Sequence, residues 1–557
     1  MKFENQVSLM PGWITQFQAD RDCLERLFAV PYSPKRRERM QRFYTEWQRD
    51  LEALPFAPLT RDDQTDWLLL HSLMETEIRR LDSVAERFAA TQPLLPFAAE
   101  LIALEEDRRA LREIDGETAA QRLDTAARQI PTLTETLSNG ASPVAPTVAG
   151  QAARIALRLR ELLTSWYGFY HTYDPVFDWW VAEPYRALDT ALETYARFLR
   201  ERVAGAKDET ILGEPIGRAA LRDELRHAQV PYEPEELIAA AREERAWCIE
   251  EMCVAAREMG HGDDWRAALE QVKQEHEPPG RQPALVRELA CEAIDYVEGH
   301  DLVTVPPVAR ECWRMEMMAA ERQKVNPFFL GGEEIIVSFP TSDMAHERKR
   351  MSLRGNNRAF ARATVHHELI PGHHLQLFSM QRHHPHRQLF WTAFWIEGWA
   401  LHWEMLLWER DFARTPQERI GMLFWRLHRG VRVIFSLEFH LGLRTAAECV
   451  EMLVNEAGHE RDNALAEVRR SFEGDYEPLY QCAYLVGGWQ VHALYRELAG
   501  TGRLTDREFH DAMLHESCMP IPTLRAVLSG EPLTPDFAPR WRFHPLPEGA
   551  TYPERRG

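Results

Sequence analysis

Apolar positions recur at helical spacing along almost the whole chain. Asp62 to Phe88 is the clearest case, with Trp67, Leu68, Leu70, Leu73 and Ile78 on the apolar side. Ser33-Pro34 reads as an N-cap followed by proline at the first helical position, opening a charged and aromatic helix through Arg49. Similar stretches cover 117–137, 147–169, 184–204, 233–258 and 283–297. In the second half they cover 357–370, 386–411, 415–443, 445–457, 459–471 and 478–500. Asn139-Gly140, Pro143 to Pro146, Pro278-Pro279-Gly280 and Pro306-Pro307 punctuate the pattern. Strand signals are rare. The best is Glu334 to Phe339, preceded by Gly331-Gly332 and stopped by Pro340. It reads either as an edge that holds an extended peptide through main-chain hydrogen bonds or as a small structural hairpin. The pattern predicts an all-α protein with one small β-sheet. A helical N-terminal region, 1–300, is expected to wrap a region, 301–557, that carries the chemistry, without a sharp boundary between them.

That chemistry is concentrated in one stretch. Val365-His366-His367-Glu368-Leu369-Ile370-Pro371-Gly372-His373-His374 places four histidines and a glutamate within nine residues. Trp395-Ile396-Glu397-Gly398-Trp399-Ala400-Leu401-His402-Trp403-Glu404 follows. Imidazole nitrogen and carboxylate oxygen are the ligands of catalytic zinc sites that keep one position for water. A glutamate directly after a ligand histidine is where zinc hydrolases place their general base. In HExxH the two histidines are four apart on one helical face, but four from His367 is Pro371. His373 is six away, about 600° around a regular helix, so the two side chains would diverge by about 120°. They can share an ion only if the helix is widened or broken between them. Pro371 and Gly372 permit that, and a π-bulge is one way to achieve it. The pairs His366/His373 and His367/His374 share a face but are separated by about 10 Å of rise. The expected ligands are therefore His367, His373 and Glu397, holding Zn²⁺, although which member of each histidine doublet binds is left open by spacing alone.

Glu368 is the expected general base. Glu404, seven residues beyond Glu397, is expected to hold a ligand histidine from behind, as is His374. Tyr484, with His440 second, is the expected donor to a developing oxyanion. Arg429 and Arg432 are placed to receive a substrate carboxylate. Tyr484 also reads as a core tyrosine, and the two arginines as ordinary ion-pair residues. His402 is expected to pack against Trp399 and Trp403, and His383, His384 and His386 to be surface residues.

His367-Glu368-Leu369-Ile370-Pro371-Gly372-His373-His374 and Glu397-Gly398-Trp399-Ala400 resemble the HExxPGHH and EGWA motifs of the bacterial domain-of-unknown-function family eight-eight-five. That family is related by pattern to zinc peptidases of the gluzincin type. The resemblance covers about Phe328 to Leu494 and, loosely, the helical N-terminal half. It implies a helical metallopeptidase-like fold with a deep substrate channel. Three positions depart from the family pattern: His402 replaces a frequent tyrosine, Ser436-Leu437-Glu438-Phe439-His440 keeps only the histidine of its motif, and Gln481 to Gly487 is slightly altered. They bear on substrate preference rather than on the ligands.

Composition narrows the picture further. The formal charge of −20 at pH 7 argues against nucleic acid as a partner. Eight scattered cysteines form no CxxC pair, read as reduced core residues, and make a thiolate zinc site improbable. There is no apolar run of membrane-spanning length and no signal-peptide pattern at Met1 to Val7, so a cytoplasmic location and no membrane partner are expected. The resulting reading is a zinc-dependent hydrolase of short peptides. The alternatives are a metal-dependent hydrolase of a non-peptide amide, a non-catalytic metal- or peptide-binding protein, and a non-haem iron oxygenase.

Overall fold

Helix follows helix along the chain, as the apolar periodicity predicts. The computed structural model describes residues 8–140, 143–207, 210–323, 328–473 and 476–544. The chain divides into two units, Met1–Pro58 with Leu70–Gly213, and Leu59–Leu69 with Glu214–Gly557. The division therefore falls after Gly213 rather than near residue 300. Its physical cause is that helices from 214–300 belong to the core of the second unit.

Among its described residues the first unit contains helices joined by turns and no strand. Its long helices Gly116–Ser138, Pro146–Tyr170 and Pro175–Phe198 enclose Leu123, Leu159, Trp166, Phe177 and Leu188. Asp115 and Asp174 cap two of them by accepting backbone N–H bonds.

In the second unit, α1 (Pro234–Glu258) packs on α6 (Pro416–His440), and α2 (Gln282–Gly299) packs on α3 (Arg358–Glu368). The remaining elements around the site are α4 (His373–Met380), α5 (Ala393–Glu409), α7 (Arg461–Phe472) and α8 (Tyr480–Leu498). A small sheet orders β1 (Arg314–Met317), β3 (Glu334–Val337) and β2 (Phe329–Leu330) side by side. β3 pairs parallel with β1 and antiparallel with β2. Because β3 is the central strand, it is not a free edge for a peptide, and its role is structural. Its alternate residues Ile335 and Val337 enter a core with Leu289 of α2 and Ala361 and Val365 of α3. The sheet thus buttresses the helix that carries His367.

The expected helix over 386–411 is two pieces. A 3₁₀ turn, Pro385–Phe390, is followed by Thr392, whose hydroxyl accepts from Phe394 N–H and caps α5. Arg387 in that turn is fully buried. It pairs with Asp66 at 2.7 Å and with Glu516 at 2.8 Å. His386 also reaches Asp66, at 2.7 Å, His383 packs on His515 and His384 on His386, so each of the three expected surface histidines has a specific partner. Four cysteines are buried and the others reach solvent to varying degrees; all eight are free. No helix among the described residues is long and apolar enough to cross a membrane.

Candidate metal centre

α3 begins at the Asn357 cap, which accepts from Phe360 N–H, and stops at Glu368. The backbone then turns through Leu369 to Gly372, and α4 restarts at His373. The helix is therefore broken between the two histidines, not widened by a π-bulge. The break turns His373 back toward His367. Two contacts hold it. Trp399 of the Glu-Gly-Trp-Ala segment donates its indole N–H to the carbonyls of Pro371 (2.9 Å) and Gly372 (3.3 Å). A Cβ on Gly372 would lie 1.8 Å from the His367 carbonyl oxygen, so only glycine fits where the chain passes that close.

Glu397 comes from α5, which crosses α8 at Gly398 and Gly487. A Cβ on Gly398 would lie 2.7 Å from the Gly487 carbonyl carbon. This crossing brings Glu397 between the two imidazoles. Its Oε2 is 3.3 Å from His373 Nε2 and 3.5 Å from His367 Nε2. The opposite ring nitrogens are held from behind. His367 Nδ1 lies 2.7 Å from Glu404 Oε1, and His373 Nδ1 lies 3.3 Å from Gln376 Oε1. Gln376 is fixed in turn by donating to the Trp395 carbonyl, and Arg429 approaches Glu404 at 3.4 Å.

The donor set fits a tetrahedral zinc. Ligands at about 2.0–2.1 Å in tetrahedral geometry sit about 3.3 Å apart, close to both observed Oε2–Nε2 spacings. Glu397 Oε2 is buried without a hydrogen-bond partner, while Oε1 accepts from the Tyr480 hydroxyl at 2.7 Å. An orphaned carboxylate oxygen aimed between two imidazole nitrogens has the chemistry of a ligand. Charge points the same way. Burial disfavours a charged His367, yet Glu397, Glu404 and Glu368 outweigh it and raise its pKa to about 9. Three carboxylates facing the one guanidinium of Arg429 leave a deficit that a divalent cation would neutralise. A carboxylate oxygen of Glu368 lies within 4.8 Å of a ring nitrogen of each histidine. Burial raises the Glu368 pKa against the lowering effect of His367 and His373.

The outer members of the histidine doublets point elsewhere. His366 is buried against Phe412 with neither nitrogen bonded, and burial holds its pKa down at about 3. His374 does not support His367 or His373. Its ring lies between the carbonyls of Glu333 and Ala309. Tyr484 stacks near His367, with centroids 6.3 Å apart, and both Arg429 and Arg432 lie over its ring. His440 is not brought to the cluster. It follows Arg429 by eleven residues on the same helix, about 16 Å of rise, and packs against Phe439 and Phe472. Arg429 and Arg432 do face this region, but each has a carboxylate partner, Glu404 and Glu467 respectively. His402 touches Trp403 and is also flanked by His492 and His510. Glu438, one of the altered positions, is tied to Arg242 and Arg444.

Sequence reasoning missed Tyr480 and Gln376. Simple helical spacing could have found both. Tyr480 is one turn before Tyr484, and Gln376 is three residues after His373 on the same helix.

Fold and site together define a mainly helical protein with a buried two-histidine, one-carboxylate cluster built across a broken helix. The chain belongs to the family of bacterial proteins of unknown function DUF885, whose model matches residues 22–528 and so extends well beyond the motif region. Solved structures that share the fold include two bacterial proteins. One is the "putative lipoprotein of unknown function" from Shewanella oneidensis, with a TM-score of 0.68 and 16% identity, covering 94% of this chain and 100% of that one. The other is the "putative lipoprotein" from Colwellia psychrerythraea, with a TM-score of 0.59 and 14% identity, covering 94% and 98%. Comparison with curated proteins returns no match.

Proposed function

We propose that this protein is a zinc-dependent peptidase acting on short peptides, with His367, His373 and Glu397 as ligands. The observation that carries the reading is the orphaned Glu397 Oε2 lying 3.3 and 3.5 Å from two imidazole nitrogens. Zinc bound there would supply a polarised water and a Lewis acid for the scissile carbonyl. The residues of the chain divide the rest of the work. Glu368, raised in pKa and beside both histidines, takes a proton from water and passes it to the leaving nitrogen as the C–N bond breaks. Glu404 and Gln376 fix the ring orientations of His367 and His373, so that each presents Nε2. Tyr480 holds the second oxygen of Glu397 and keeps that carboxylate from rotating. Tyr484, stacked on His367, is the proposed donor to the developing oxyanion.

The test pairs metal analysis of protein purified without added metal with turnover of a mixed peptide library. One equivalent of zinc and chelator-sensitive cleavage are expected. H373A and E397A proteins that both retain full metal would refute the ligand set. E368Q is expected to keep its zinc and lose turnover by about 10²–10⁴-fold or more. Near-native turnover by E368Q would remove Glu368 as the base.

A further inference from the structure

Beside the histidine cluster is a second buried group that the metal reading leaves unused. Arg432 of α6 is 2% exposed and pairs with Glu467 of α7, itself 1% exposed, at 2.6 Å. Arg470, one turn along α7, shares the same carboxylate at 3.0 Å. Arg429 is engaged with Glu404. Three guanidinium groups therefore face two carboxylates, and His428 and His459 beside them are held neutral by burial. Adding a divalent cation to Glu397 and Glu368 balances that part of the site, so one positive charge remains without a counter-charge. An unbalanced charge is costly to bury. Arg432 Nε and Nη1 are buried with no hydrogen-bond partner, as are Arg470 Nε and both Glu467 oxygens, so this group is held by charge at 2.6 and 3.0 Å rather than by aligned hydrogen bonds. With one positive charge in excess, the Arg432 donors have room for an acceptor that arrives with a ligand.

The position of this excess charge relates it to the reaction. The Arg432 guanidinium carbon is 4.4 Å from the centre of the Tyr484 ring, and that ring is 6.3 Å from the His367 ring. An extended peptide advances about 3.3–3.6 Å per residue, so at most about three residues span the two steps. Glu368, Tyr480 and Arg470, around the buried Arg432, each retain partial exposure.

We propose that Arg432, with Arg470 beside it, is a subsite for the free C-terminal carboxylate of a peptide substrate, making the enzyme one that cuts within about three residues of the C-terminus. This rests on the peptidase reading above and names its substrate class. Arg429, engaged with Glu404, acts instead as a positioning residue for His367.

Two measurements on the zinc-loaded full-length protein test it. In the first, matched peptides with a free C-terminal carboxylate or a C-terminal amide are digested and the products weighed by mass spectrometry. Cleavage confined to the last three residues is expected, with kcat/KM lower for the amides by on the order of 10–100-fold. R432M should erase that preference and R432K should keep part of it. The second needs no turnover. Benzylsuccinate, with two carboxylates, should bind on the order of 10–100-fold more tightly by calorimetry than 3-phenylpropionate, which has one. Equal binding of the two compounds to the wild-type protein overturns the subsite whether or not peptides are cut. Equal cleavage of acids and amides overturns it while leaving the peptidase reading intact. A clear binding preference that R432M removes, without cleavage of any peptide, supports the subsite and refutes the peptidase reading.

Discussion

Replacing Gly398 by alanine probes how the fold sets the metal geometry. The added Cβ would stand 2.7 Å from the Gly487 carbonyl carbon and 2.8 Å from its oxygen, and these are backbone atoms that cannot swing aside. Carbon–carbon contacts are most favourable at about 3.5–4.0 Å, so α5 and α8 must separate by about 0.8 Å or more. Glu397 precedes Gly398 directly, and zinc sites accept ligand displacements of only about 0.2 Å. The variant should remain helical, because overpacking costs about 1–3 kcal/mol and alanine recovers up to about 1 kcal/mol of helix propensity. Zinc affinity, measured by competition with a chromophoric chelator, should fall by at least about 10-fold, as it does when ligand orientation is lost elsewhere. Gly430→Ala is the matched control. It too lies inside a long helix, but its nearest non-local atom is the Ala241 carbonyl oxygen at 3.5 Å, an ordinary contact. It should bind zinc as the wild type does. A folded G398A protein with undiminished zinc affinity would refute the argument that the helix crossing places Glu397.

E404Q keeps the shape of the group behind His367 Nδ1 but removes its charge, and zinc affinity should drop by about 10–100-fold in the same competition assay. Y480F removes the hydroxyl that holds Glu397 Oε1 and should weaken zinc binding by a smaller factor, readable by the same method. Burial lowers the pKa of His440 to about 4, so the unfolded chain takes up a proton below about pH 6.5 that the folded chain refuses until about pH 4. Stability from this group is full above pH 6.5 and is lost as pH falls toward 4, by about 3 kcal/mol in total. Denaturation of wild type and H440Q at pH 7 and pH 5 should show the smaller acid loss in the variant.

Helical periodicity located the long helices well, because each buries a broad apolar face that recurs along the sequence. Shorter helices such as Ala98–Arg109 and Trp265–Gln274 escaped notice, having too few turns to establish a period. The sheet was half legible. The strand at 334–337 carried β-branched residues, whereas its partner Arg314–Met317 reads Arg-Met-Glu-Met and is a strand only because β3 lies beside it. At the site, spacing alone excluded a regular helix through His367 and His373 but could not choose between their doublets. That choice depends on which nitrogens face carbonyls or apolar walls, a matter of tertiary packing. His440 misled because a histidine late in a long helix gives no sign of how far along the bundle it sits.

The eleven residues Leu59–Leu69 sit in the second unit although their sequence neighbours on both sides belong to the first. Neither unit can therefore be gained, lost or exchanged by a single cut in the gene. A fragment starting at Glu214 would lack Asp66 and leave the fully buried Arg387 with Glu516 as its remaining close carboxylate. Arg387 lies in the turn joining the helix of His373 to the helix of Glu397, so the damage would reach the ligands. Joining residues 59–69 to the shortened chain is the minimal graft that restores this ion pair.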